Sequence, residues 1–434
     1  MINTAEVYLW GTRIGIVHLE DEKNYASFEY DRNFVESEIE VSPIKMPLSN
    51  RVYEFPTLAG DAFHGVPGML ADSLPDKFGN AVIERWLISK GKSQADFNVI
   101  DRLCYTGKRA MGALEYVPAT GNDREIDDSI NVSEMVKFAS DILNNKEKVE
   151  LSDEENLAYE QLIQLGTSAG GARAKAVIAW NEKTKDIRSG QILLDKDYDY
   201  WLMKFDGVNK NGDHGLKDSI EYTLIEYAYY QMAVKAGINM NECRIYSENG
   251  RNHFMTKRFD RVNGKKIHMQ TLGALAHIDY NIPGLFSYEQ AADVMKRINL
   301  TAAEREQFYR RMVFNVVAVN QDDHVKNTSF LMDKTGKWSL APAYDITFSY
   351  DVNNKWLSAH QMLVNGKNDN INLEDMIECG KKMDISTKKC KGIIEEVISS
   401  VDMWEQIAGE TGIDEKTIAG ISNIIKKKGL SWHD

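Results

Sequence analysis

From Asn320 to Asp345 the chain reads NQDDHVKNTSFLMDKTGKWSLAPAYD, and this stretch constrains the rest of the molecule more than any other. Asp322 is followed five positions later by Asn327, then by an apolar run, the sequence Asp333-Lys-Thr-Gly336, a second run from Trp338 to Leu340, and Asp345. A turn signal between two strand-like runs predicts a hairpin. A hairpin returns the chain, which brings Asp345 back beside Asn327. A carboxylate and an amide oxygen placed together suit magnesium, a hard ion that takes oxygen ligands and keeps several of its waters. A solvated polar loop ahead of an ordinary hairpin accounts for the same residues, because short motifs match by chance.

The order of the three residues is that of a phosphoryl-transfer site. In protein kinases an aspartate orients and deprotonates the attacking hydroxyl, while an asparagine five positions on and a later aspartate hold the metal ions. Asp322, Asn327 and Asp345 fit those roles in that order. Kinases also pair a strand lysine, which grips the phosphates, with a helix glutamate. Lys204 lies in the strand-like run Tyr200–Phe205, and Glu226 in a helix predicted to open at the capping box Asp218-Ser-Ile-Glu221 and end at Gly237. Glu221 is the rival partner, and an edge-strand lysine reaching solvent is the plainer account of Lys204. Upstream, LGTSAGGARAKAVIAW carries three glycines whose backbone amides can approach phosphates, although it has neither Walker A nor dinucleotide order. A glycine-rich surface turn explains it equally well. In a two-lobed reading, HFMTKRFDR (His253–Arg261) is the hinge, with backbone groups of Lys257, Arg258 and Phe259 meeting the adenine edge. A second hairpin strand is the alternative.

The 434 residues, 43% hydrophobic and 27% charged, allow two or three globular domains. No apolar run approaches membrane-spanning length, and Glu6 and Arg13 interrupt any secretory h-region, so a cytoplasmic location is expected. Cys104, Cys243, Cys379 and Cys390 have neither disulfide nor zinc spacing. A net charge of −13 disfavours DNA binding by the isolated chain.

The first segment reads as an antiparallel meander with turns at Gly11-Thr12 and Asp21–Asn24. A helix is expected at Lys77–Ser89, and Asp72, Ser73, Asp76 and Arg109 read as turn and capping residues. The acidic stretch 121–128 reads as a linker. Ser287–Gln290 and Thr301–Glu304 are capping boxes, the second opening a helix with Phe308, Met312, Val316 and Val319 on one face. The tail is expected to be helical over 386–407 and 414–428, with Gly429 as a cap.

Taken together, VPGMLADSLPDKFG, GKRAMGAL, GTSAGGARAKA, NQDDHVKN and LAPAYD resemble, over nearly the whole chain, the HipA family of serine/threonine kinases. These are the toxin halves of bacterial type II toxin–antitoxin systems. The resemblance implies an α+β, two-lobed protein-kinase-like fold with a mixed β/α N-terminal part and a mainly helical C-terminal lobe. Its expected divisions are 1–120, a HipA-type N-terminal subdomain; 121–258, an N-lobe with the glycine-rich loop; and 259–434, a C-lobe with the catalytic loop. It implies Asp322 as base, with His324 and Lys326 close to the nucleotide and Asn327 and Asp345 as magnesium ligands. Mg-ATP would also be met by Ser168, Gly170, Gly171, Ala172, Arg173, Lys175, Lys204 with Glu226, and the hinge at Lys257–Phe259. Ser168 would be a self-inhibitory autophosphorylation site. Two positions depart from the pattern: Ala174 where relatives have proline, and Lys257 where the family can be acidic. The implied activity is γ-phosphate transfer to a protein hydroxyl, with a translation factor or an aminoacyl-tRNA synthetase as the kind of target. The implied partner is a small basic helix-turn-helix antitoxin through which DNA is bound. A small-molecule or lipid-headgroup kinase, and a non-catalytic co-repressor, are the alternatives.

Overall fold

The computed structural model describes residues 1–89, 91–120, 129–143, 165, 173–208 and 221–429. The expected linker 121–128, the glycine-rich residues 166–172 with Ser168, Gly170, Gly171 and Ala172, and the start of the expected box at Asp218 lie outside them.

The N-terminal meander forms a five-stranded antiparallel sheet from β1 (Thr4–Leu9), β2 (Thr12–His18), β3 (Ser27–Tyr30), β4 (Val52–Glu54) and β5 (Leu114–Val117), in the order β4-β3-β2-β1-β5. Its first turn is Trp10-Gly11, one residue earlier than the sequence suggested; both residues have positive φ (50° and 84°), the geometry that matches strand twist in a tight hairpin. The second sheet holds β6 (Lys175–Trp180), β7 (Ile187–Ser189), β8 (Asp199–Lys204), β9 (Cys243–Glu248) and β10 (Arg251–Lys257), in the order β7-β6-β8-β10-β9. After the short ribbon β11 (Arg261–Val262) and β12 (Lys265–Lys266), a third sheet pairs β13 (His268–Thr271), β14 (Ser329–Met332) and β15 (Trp338–Leu340). The expected hairpin is β14–β15. Its turn is held by Asp333 Oδ1, which accepts from the amides of Thr335 at 2.8 Å and Lys337 at 3.2 Å.

Two apolar cores organise these layers. The larger joins the first sheet (Val7, Phe28, Tyr116) to helix Tyr222–Lys235 through Tyr229 and to the C-terminal helices through Met312 and Val397. The smaller packs the second sheet (Trp201, Met203, Met255) against helix Val132–Leu143 and against Phe78, Val82 and Leu87 of helix Lys77–Ser89. A helix from the N-terminal part thus completes the core of the second sheet, and packing is continuous across the expected boundary at 120.

Both capping boxes form: Ser287 with Gln290, and Thr301 with Glu304. Helix Ala302–Val317 buries Phe308, Met312 and Val316, each such side chain contributing about 1.5–3 kcal/mol through burial. Val319 is not on that face. It lies beyond the helix end at φ 57°, an unusual conformation for a β-branched residue, and turns the chain into the loop at Asn320. The expected box at Glu221 is replaced by a different arrangement: the helix starts at Tyr222, and Glu221 accepts from the Asp414 amide at 2.8 Å. The tail breaks into Thr387–Val401 and Trp404–Thr411, and its last helix runs through Gly429. Among the described residues no helix is long and apolar enough to cross a membrane.

Candidate active site

The loop after helix Ala302–Val317 is fixed by its own polar groups. Asn320 donates its amide to the Asn315 carbonyl at 2.8 Å and its side chain to Asn315 Oδ1 at 3.0 Å. Two adjacent aspartates then take opposite roles. Asp323 is buried, accepts from Tyr288 Oη at 2.7 Å and from the Gln361 amide at 2.7 Å, and lies 3.0 Å from His360 Nδ1. Asp322 keeps 27% of its side chain exposed, with His324 Nε2 3.9 Å away. Asp323 is thus committed inside the fold, while Asp322 keeps part of its side chain at the surface. Asn327 Nδ2 donates to the Asp322 carbonyl at 2.8 Å, which fixes the amide so that its oxygen faces the other way. The Lys326 ammonium lies 4.4 Å from the Tyr280 ring centre, and its carbonyl accepts from Tyr344 Oη at 2.6 Å.

Lys204 does not reach solvent. It is buried at the end of β8 and donates to Glu226 Oε1 at 2.6 Å and to Asp345 Oδ1. The helix glutamate is thus Glu226, and Glu221 is excluded by its contact with Asp414. Burial works against the Lys204 ammonium, but Asp345 and Glu226 outweigh it and raise its pKa above the ordinary lysine value. Burial pushes Glu226 up against the pull of Lys204. Burial also opposes ionisation of Asp345, yet Lys204 and Lys175 hold it down at about 2. Asp345 stands in the left-handed region at φ 52°, and a third of its side chain remains exposed. His324 is close enough to add to the lowering, which links the loop to the far end of the hairpin.

A divalent cation fits this donor set. Asp345 is ionised, and Asn327 has its nitrogen committed to the backbone and its oxygen free of that contact; both offer hard oxygen ligands. Among the described residues there is no cluster of three or more His, Cys, Asp or Glu side chains able to hold a metal by themselves, so water or phosphate oxygens would complete the shell.

The hinge is more occupied than the sequence suggested. The Lys257 amide donates to the Glu242 carbonyl at 2.8 Å and its carbonyl accepts from Asn241 Nδ2 at 3.0 Å, while the Arg258 amide donates to the Tyr200 carbonyl at 2.8 Å. The Arg258 carbonyl and the Phe259 amide take part in none of these contacts. Side chains at the hinge point elsewhere: Lys257 pairs with Asp199 at 2.7 Å, and the buried Arg258 forms a fork with Asp260 at 2.9 and 2.8 Å. Asp260 also binds Arg261 and accepts from the Gly112 amide at 2.8 Å, so this cluster ties the hinge to GKRAMGAL. The Phe259 ring packs 5.7 Å from Tyr344, next to Asp345. Of the glycine-rich stretch, Arg173 lies over the Tyr222 ring and Lys175 is buried 3.4 Å from Asp76 Oδ2.

Sequence reasoning missed Asp323, His360, Asp72 and the reach of Asp76. The Asp76 side chain does cap a turn, through the Gly79 amide, but it also crosses to another part of the fold, as does that of Asp72, which ends helix Gly68–Ala71 through its backbone alone. Asp72 accepts from the Thr271 amide at 2.6 Å and hydroxyl at 2.9 Å.

Comparison with known proteins agrees with this architecture. Residues 5–117 match the HipA N-terminal domain and residues 167–404 the HipA-like C-terminal domain. A Haemophilus influenzae protein described as a kinase is 31% identical over 159 residues, which take in 32% of this chain and 46% of that protein. The HipA toxin of Shewanella oneidensis, solved with HipB and its operator DNA, superposes with a TM-score of 0.64 at 16% identity, covering 98% of this chain and 96% of that one. The Helicobacter pylori proinflammatory kinase CtkA aligns over 55% of this chain and 90% of its own with a TM-score of 0.33. The chain belongs to the HipA family and has its two-lobed, kinase-like fold.

Proposed function

We propose that this chain is a protein kinase that transfers the γ-phosphate of Mg-ATP to a serine or threonine hydroxyl of another protein. The observation that carries the reading is the buried Lys204, held by Glu226 and Asp345, beside a loop in which Asp323 is buried and Asp322 keeps 27% of its side chain exposed. A buried ammonium needs paired carboxylates, since an isolated charge there costs several kcal/mol. Here those carboxylates come from a helix and from the end of a hairpin, the sources a phosphoryl-transfer site uses.

In this mechanism Glu226 keeps Lys204 aimed at the α- and β-phosphates, and Asp322 orients the attacking hydroxyl and accepts its proton. General-base help of this kind is worth about 10²- to 10⁴-fold. Asn327 and Asp345 would hold magnesium, which when bound would supply charge neutralisation at the phosphate oxygens. The Arg258 carbonyl and Phe259 amide receive the adenine edge. Ser168 is an autophosphorylation site by family resemblance. The family likeness also supports a toxin role with a basic antitoxin partner, the kind of assembly named for the Shewanella protein; a net charge of −13 on this chain fits DNA contact only through that partner. The four buried free thiols fit a reducing cytoplasm.

The test is transfer of labelled γ-phosphate. With Mg-ATP and a host protein fraction, label should enter protein serine or threonine; label confined to metabolites would point to a small-molecule kinase, and nucleotide binding without transfer to a co-repressor. Asp345→Asn should lose activity in a way that shrinks as magnesium is raised. A deficit indifferent to magnesium would remove Asp345 from the metal site.

A further inference from the structure

Lys175 and Lys204 are directly paired residues on the neighbouring strands β6 and β8, so their side chains stand on the same face. Both are buried, and like charges opposed in this way repel. The fold gives each its own counter-charge. Lys204 has Glu226 and Asp345, both from the kinase-like part; Lys175 has Asp76, from the N-terminal part, at 3.4 Å with the two side chains 3% and 8% exposed. Asp76 is itself braced: its Oδ1 accepts from the Gly79 amide at 2.6 Å, and its carbonyl accepts from the Asn80 amide at 2.7 Å, at the mouth of helix Lys77–Ser89. That helix is locked into the core of the second sheet through Phe78 and Val82. The carboxylate is therefore presented to β6 by a rigid element. Lys175 is the register partner of Lys204, whose ammonium donates to Asp345, so both lysines stand at the end of the sheet that carries the site.

We propose that Asp76 is a positioning residue supplied by the N-terminal domain, holding the Lys175 ammonium beside Lys204 so that the two lysines together grip a nucleotide polyphosphate. The assignment rests on the kinase reading above. Without the Asp76 carboxylate, the buried Lys175 ammonium loses the charge partner at 3.4 Å that fixes its place on β6, and the side chain can turn away. The phosphates then lose a contact. The N-terminal domain is thereby part of the nucleotide site, although the groups it supplies touch no substrate.

The experiment is a double-mutant cycle on the full chain, read by Mg-ATP titration calorimetry and by KM and kcat. Asp76→Asn keeps an oxygen for the Gly79 amide, so it removes the charge while leaving the helix start capped. It should weaken Mg-ATP binding about tenfold, with KM for ATP rising by a similar factor and kcat changing much less. Lys175→Met should do the same, and the double variant should bind no more weakly than Lys175→Met alone. Independent losses that multiply in the double variant, or an Asp76→Asn protein that binds Mg-ATP like the wild type, would overturn the proposal. If Asp76→Asn does not fold, Lys175→Met decides, because wild-type affinity in that variant removes the contact Asp76 is said to position. A wild-type protein that binds no Mg-ATP is a different result: it sinks the kinase reading and this assignment with it.

Discussion

At the scale of single residues, the adjacent aspartates show how environment assigns a role that sequence alone leaves open. Asp323 accepts hydrogen bonds from an amide and a tyrosine and is paired with His360, all out of water. Removing it leaves those partners unsatisfied, so Asp323→Ala should cost about 1–3 kcal/mol, the range for leaving a buried hydrogen-bonding group without its partner, seen as a lowered urea midpoint. An Asp323→Ala protein melting like the wild type would mean the cluster is not structural. The contact of Lys204 with Glu226 follows the order of a strand lysine and a helix glutamate, although a lysine reaching solvent from an edge strand was the plainer account of the sequence. Glu221 against Glu226 was not decidable, because the contact that removes Glu221 comes from Asp414, far along the chain. Asp76 was unreadable for the same reason: its own neighbours explain it as a helix cap, and only the fold brings Lys175 to it.

Local elements were legible where a capping pattern or turn residue marked them, and obscure where the apolar period ran on. The hairpin at Asp333–Gly336 and the boxes at Ser287 and Thr301 follow their sequences closely. The break near Met403 has no glycine or proline, and Val401, Trp404 and Ile407 keep a three-residue apolar spacing across it, so the period gives no sign of two helices. Short helix Gly68–Ala71 makes a second point about elements: it lies so close to helix Leu272–Ala276 that a Cβ on Gly68 would sit 2.1 Å from the Ala274 carbonyl oxygen. Backbone cannot yield as a side-chain tip can. Gly68→Ala should therefore force the two helices apart and cost about 1–3 kcal/mol as an overpacking strain, measured by chemical denaturation. No change in midpoint would contradict that close approach.

Across the whole molecule, the N-terminal domain is bound to the kinase-like lobes through buried polar contacts: Asp72 with Thr271, Asp76 with Lys175, Gly112 with Asp260, and Gly68 with His277. His277 Nε2 accepts from the Gly68 amide at 3.0 Å, which requires the neutral ring; burial, with a smaller contribution from Lys45, holds its pKa at about 3. Burial alone does the same to His268. Their ordinary value is 6.5, so the unfolded chain takes up protons first on acidification. The stability these rings contribute is present above pH 6.5 and is lost as pH falls from there towards 3. The melting temperature should thus decline from pH 7 to pH 5, and His277→Gln should lower it at pH 7 while flattening the decline. An unchanged slope in that variant would remove His277 as a source of acid sensitivity.

The central claim, phosphoryl transfer with Asp322 as base, is tested most directly by single-turnover transfer from labelled Mg-ATP in Asp322→Asn protein whose nucleotide affinity and melting temperature are measured alongside. Asp322 keeps 27% of its side chain exposed where Asp323 is buried, so affinity and melting should stay close to the wild type, while transfer falls about 10²- to 10⁴-fold. Transfer within a factor of a few of the wild type, in protein that binds Mg-ATP normally, would contradict the account.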